Sequence, residues 1–169
     1  MLQAEIVEKP ALRVVGLEAG FIHALSPEAT NFKVIGPLWD KFVHRVREVP
    51  KRVGEEMYGV IYSRPEKERA HPDELQYIAA VRVSRVDEVP SGMVERTIPI
   101  GTFAVFTHRG PIEAIRETVQ EIYRVWLPQS AFRHAEIADV ELYDDRFHCD
   151  RDDSEMEYWI SVTPKGNSR

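Results

Sequence analysis

The sequence predicts an α+β protein. Two pseudo-symmetric strand–helix–strand–strand units form one antiparallel sheet, with two helices on one face and a groove between the halves. Three observations carry this expectation. In TIPIGTFAVFTHRGPIEAIRETVQEIYRVWLP (97–128), strand-like alternation of Phe103 and Val105 against Ala104 and Phe106 gives way, after Gly110-Pro111, to helical spacing. An earlier stripe, Phe32, Ile35, Trp39, Phe42, Val46 and Val49, recurs at steps of three and four. The order of elements then repeats at a period of roughly 80 to 90 residues.

Taken in order, Glu5 to Leu17 alternates loosely and reads as a strand interrupted at Pro10. Gly16 to Pro27 reads as a connection. The first helix follows, with Gly36-Pro37 starting or kinking it and Pro50 ending it. MYGVIYS (57–63) is a strand with Tyr58, Val60 and Tyr62 on one face. RPEKERAHPDE is a polar loop, and LQYIAAVRVSR (75–85) is a strand with Tyr77, Ala79, Val81 and Val83 on one face. DEVPSG (87–92) marks the seam between pseudo-repeats 1–88 and 93–164 of a single domain, 1–169.

In the second half, Met93 to Thr107 is a strand that bends near Pro99 and Gly101. The second helix begins at Pro111, a residue suited to the first turn, and stops at Leu127-Pro128. Its stripe is Ile112, Ile115, Val119, Ile122 and Trp126. Ile137–Tyr143 is a short strand, DDRFHCDRDDSE an acidic loop, Met156–Val162 the last strand, and KGNSR a frayed end. The pairs LQYIAAV/MEYWISV and YGVIYSRPE/VELYDDRF align the halves. Neither half buries its sheet alone.

Composition bounds the function. The chain has 169 residues, 43% hydrophobic and 30% charged, with a formal net charge of −6. That is one globular domain without the basic field that holds nucleic acid non-specifically. The single Cys149 excludes an internal disulfide and fits a reducing, cytoplasmic setting. MLQAEIVEKP is no signal peptide, and no apolar run reaches the roughly 20 residues of a membrane span.

TFAVFTHRGP, the helix ending in VWLP, and the pair VELY … EMEYWISV resemble the GyrI-like family, also described as the AraC-type or bacterial multidrug effector-binding fold. The resemblance spans nearly the whole chain. It implies two strand–helix–strand–strand units with an aromatic ligand pocket between them, and a buried glutamate that meets cationic ligands. By motif that glutamate corresponds to Glu157. Family members are sensor domains of multidrug-responsive transcription regulators or stand-alone proteins, and this chain resembles the latter. Strand 1 begins almost at residue 1, so no direct DNA binding is expected.

Parity puts Glu157 and Trp159 on one face of the last strand, with Tyr158, Ile160 and Val162 on the face toward the helices. By the same count Glu141 and Tyr143 share a face, with Val140 and Leu142 toward the core. Tyr58, Tyr62 and Tyr77 occupy the corresponding places in the first half, Tyr77 opposing Glu157. Trp126, at a helix end, is placed to close the pocket. A groove of Tyr, Trp and carboxylate suits an amphipathic, aromatic or cationic molecule, because rings supply area and cation–π attraction and the carboxylate a counter-charge. Enclosure by rings would also raise the carboxylate pKa, as general acid–base work requires.

The competing reading for each aromatic is plain core packing. For Glu141 it is a solvated residue or a tyrosine anchor. DDRFHCDRDD lacks both the calcium-loop pattern and zinc spacing, so no metal is expected. His23, His44, His71, His108 and His134 form no cluster, and no nucleophile motif or phosphate loop is present, so no cofactor is expected. Three functions stay open. One is binding of a small-molecule ligand. The second is hydrolysis of a strained, cyclopropanoid electrophile with Glu157 as the catalytic group, as some relatives imply. The third is inhibition of a larger enzyme such as gyrase, as the family name implies. A protein partner and a homodimer stay open; a membrane partner is not expected.

Overall fold

The computed structural model describes residues 2–166. Eight strands form one antiparallel sheet: β1 (Glu5–Lys9), β2 (Leu12–Ile22), β3 (Arg52–Tyr62), β4 (Glu74–Val83), β5 (Val94–Ile98), β6 (Gly101–Arg109), β7 (Phe132–Tyr143) and β8 (Glu155–Pro164). Their spatial order is β1-β6-β8-β7-β3-β4-β2-β5. Pro10 has no N–H to give to a ladder, and the chain changes partners there: β1 pairs with β6, and β2 with β4 and β5. Pro99 divides β5 from β6 in the same way, and β6 begins at Gly101. Each half thus lends its first strand to the other half's side of the sheet.

The two halves meet at β3 and β7, where Val60 pairs with Val140. A local twofold there relates Gly59 to Asp139 and Ile61 to Glu141. It also relates Tyr77 to Tyr158, because Tyr77 pairs with Ile61 and Tyr158 with Glu141.

Helix α1 (Asn31–Arg45) and helix α2 (Ile115–Glu121) cover one face of the sheet. α1 runs through Pro37, which leaves the carbonyl four residues back without its usual donor. α2 is led in by a tight turn at Ile112–Ala114, widens into a π-turn over Ile122–Trp126 and closes with Leu127–Gln129. Lys165 Nζ caps this end by donating to the carbonyls of Leu127, Pro128 and Ser130. The tail expected to fray is therefore anchored at Lys165, and from residue 167 on it lies outside the described residues. Leu38, Phe42, Ile115 and Ile122 pack beneath the helices against Val15, Ala79, Phe106, Tyr158 and Ile160.

The other face carries no helix but is also packed. Leu12, Val14, Tyr58, Val60, Ile98, Phe103, Val140 and Trp159 form one buried cluster. It joins strands from opposite ends of the sheet, so the sheet curls around it. Two expectations are corrected here. Gly16 to Pro27 is not a connection throughout, since β2 runs to Ile22. Val140 and Leu142 face the inside of the curl, not the helices. Among the described residues, no helix is long and apolar enough to cross a membrane.

Candidate functional site

The inversion at β7 places Glu141 under the helices. Its side chain is 6% exposed, and the hydroxyls of Tyr77 and Tyr143 both donate to its Oε2, at 2.5 and 2.6 Å. Trp39 Nε1 in turn donates to the Tyr77 oxygen at 2.9 Å. A chain of donors therefore runs from α1 through β4 to the carboxylate, the arrangement that makes a buried charge tolerable. Trp39 crosses Tyr77 and Tyr143 edge to face, with ring centres 6.3 and 5.5 Å apart. Phe147, from the β7–β8 loop, meets Tyr143 at 4.7 Å, and Phe21 meets Tyr77 at 6.2 Å. The result is a box of rings about one carboxylate.

The box needs Gly59. Glu141 and Gly59 are direct cross-strand partners. A Cβ on Gly59 would lie 2.6 Å from Glu141 Oε2 and 2.7 Å from Tyr77 Cζ. The missing side chain on β3 is the space into which the Tyr77 hydroxyl and the carboxylate converge.

Burial is the largest influence on Glu141 and pushes its pKa up. The hydrogen bonds from Tyr143 and Tyr77 pull it back only in part, and the charge of Asp139 adds to the rise. Burial, and then the neighbouring Glu141, hold the Tyr77 and Tyr143 hydroxyls well above the usual phenol range, so both remain donors. The site can neutralise a cation, stack on an apolar ring, or give and take a proton.

The residues expected to share one groove are divided between the two sheet faces. Glu141, Tyr143 and Tyr77 stand together on the helix face. Trp126 is on that face too, but it packs edge-on to Phe106 and parallel to Phe132. Tyr58 and Trp159 lie in contact inside the curl, 6.4 Å between ring centres. Tyr62 faces the same way, its hydroxyl bonded to Glu18 and Arg96.

Glu157 is beside Trp159, as parity requires, and accepts from its Nε1 at 2.7 Å. Its other oxygen meets Arg146 at 3.1 Å in a half-exposed ion pair. Tyr77 does not oppose it, since the twofold mate of Tyr77 is Tyr158. The reason is that apolar residues line both faces of a curled sheet, so the greasier side of β7 is not the helix side. Sequence reasoning also missed Trp39, counted as helix core, and Phe147, hidden in an acidic loop. The aromatic residue within DDRFHCDRDD was the available signal.

Known proteins bear on this site. The family model of the GyrI-like small molecule binding domain matches residues 2–163. The transcriptional regulator BrlR of Pseudomonas aeruginosa is 34% identical over 163 residues, covering 95% of this chain; the chain spans 56% of the length of BrlR. Among solved structures, SAV2435 bound to tetraphenylphosphonium superposes with a TM-score of 0.74 at 14% identity, covering 95% of this chain and 94% of that one. A hydrolase encoded by lin2189 from Listeria innocua superposes at 0.53 with 13% identity, covering 95% and 92%. At those identities the two structures speak for the fold alone. Among the described residues, no group of three or more His, Cys, Asp or Glu is arranged to hold a metal.

Proposed function

Because this chain belongs to the family of GyrI-like small molecule binding domains, we propose that it takes a cationic or amphipathic aromatic ligand in the ring box, with Glu141 as the counter-charge. The observation that carries this reading is a buried carboxylate held by two tyrosine hydroxyls among Trp39, Tyr143 and Phe147. Its raised pKa records an uncompensated cost of charge in an apolar setting. A ligand cation lowers that cost and gains the ring faces as well. Entry displaces Phe147 and tilts Tyr143 or Trp39, all three partly exposed. The tetraphenylphosphonium held by SAV2435 supports the ligand class, and the regulator BrlR supports a sensing role for such a domain.

The test is calorimetric titration of tetraphenylphosphonium and of neutral triphenylphosphine oxide into wild type and Glu141→Gln. Cation affinity falls by about 1–3 kcal/mol in the variant while the neutral compound changes less than about twofold. Equal cation affinity for both proteins refutes the assignment.

The same group supports a second reading. A carboxyl with a raised pKa beside two hydroxyl donors suits a general acid–base role in opening a strained ring. Consumption of a cyclopropanoid electrophile by wild type and not by Glu141→Gln, with binding of the electrophile retained, selects it.

A further inference from the structure

A second carboxylate stands on β7 two residues before Glu141, and the ring box leaves it out. Asp139 is 6% exposed. Tyr123 of the π-turn that follows α2 and Tyr158 of β8 both donate to its Oδ2, the latter at 3.1 Å. His134 Nε2 meets Oδ1 at 2.8 Å, and its Nδ1 accepts the Glu136 N–H at 2.9 Å. Tyr158 is the twofold mate of Tyr77, so the two related tyrosines serve two different carboxylates of one strand.

Asp139 opens onto a cavity of about 290 Å³. The cavity forms where β3 and β7 part company beyond the Ile61–Asp139 pair, and where β7 bulges between His134 and Asp139 with Glu136 at φ 56°. Ile61, Leu75 and Ala138 make apolar walls; Tyr123, His134 and Asp139 make the polar end. Arg69 and Glu136 stand with opposite charge among the remaining lining residues.

We infer that this cavity is a second ligand site, taking a small protonated amine with an apolar body, such as an arylalkylammonium. Oδ1 is the oxygen without a tyrosine donor, so an ammonium N–H reaches it by displacing the His134 Nε2 contact. Both tyrosine bonds to Oδ2 are kept. The size, at the small end of ligand pockets, suits one ring on a short chain. The site goes beyond the reading of the Glu141 box and does not depend on it.

The test uses 2-phenylethylammonium at pH 7.5, titrated into wild type, Asp139→Asn, Ile137→Trp and Glu141→Gln, with tetraphenylphosphonium as the second probe. Ile137 lines the cavity and is 38% exposed, so the indole fills the space with little burden on folding. Saturable binding to wild type is expected, weakened at least about tenfold in Asp139→Asn and in Ile137→Trp and by less than about twofold in Glu141→Gln. Tetraphenylphosphonium should follow the opposite pattern. If Asp139→Asn fails to fold, Ile137→Trp decides alone. No saturation by wild type, undiminished binding to Ile137→Trp, or a loss that tracks Glu141→Gln overturns the inference.

Discussion

Replacing Gly59 by Ala tests the ring box at its tightest point. Gly59 lies in β3 without the positive φ of Gly54, Gly92 and Gly110, so its backbone accepts alanine. Any cost is therefore steric and chemical. The new methyl would lie 2.6 Å from Glu141 Oε2 and 2.7 Å from Tyr77 Cζ, and closer still to the Tyr77 oxygen. Tyr77 is fully buried, so its ring retreats only by disturbing the packing of Trp39 and Phe21.

Overpacking of this kind costs about 1–3 kcal/mol. Loss of the 2.5 Å Tyr77–Glu141 bond adds about 1.5–3 kcal/mol. Alanine's smaller unfolded-state entropy returns about 0.4–1 kcal/mol. The net expectation is about 2–5 kcal/mol, read by urea melts at pH 7. In a Tyr77→Phe background the hydroxyl is gone and the ring is untethered, so the cost of Gly59→Ala should fall by at least about 1 kcal/mol. A cost below about 1 kcal/mol in wild type, or no coupling to Tyr77, refutes the account of the box.

Three further outcomes are expected. Phe42→Ala and Ile122→Ala each empty a fully buried position between helix and sheet and should cost about 2–5 kcal/mol in urea melts; less than about 1 kcal/mol for both contradicts the helix packing. Glu141 has a folded pKa above its unfolded value, so its contribution to stability is fully present below the unfolded pKa, near 4.3, and declines as pH rises through the folded one. Melts of wild type and Glu141→Gln from pH 4 to 8 should therefore show wild type losing ground to the variant as pH rises, and parallel curves would deny the shift. Glu157→Gln weakens a partly exposed pair with Arg146 and keeps an amide oxygen that can accept from Trp159 Nε1, so it should change stability by less than about 1 kcal/mol. It should leave tetraphenylphosphonium affinity within about twofold, and a larger loss in titration would return the ligand site to that residue.

The sequence by itself determined the order of elements, the two helices, the stripes they bury apart from Phe32, which is 51% exposed, and the parity of each strand. These are local properties. Helical spacing holds Phe42 and Ile122 on one side of their helices whatever surrounds them, and a strand holds Glu141 with Tyr143 and Glu157 with Trp159. The face of β8 that meets the helices, with Tyr158, Ile160 and Val162, was read correctly, but that of β7 was decided only in three dimensions. Alternation says which side chains travel together, and the rule that the apolar side is the inner one works when only one side is covered. Here the sheet curls, Val140 and Trp159 pack within the curl, and the polar set of β7 goes under the helices. The grouping of Trp39, Tyr77, Glu141, Tyr143 and Phe147 depends on contacts between residues up to 104 positions apart, and no periodicity within a window reaches that far. Gly59 shows the same division: the sequence displays a glycine within a strand, and only the converging hydroxyl and carboxylate give the reason for it.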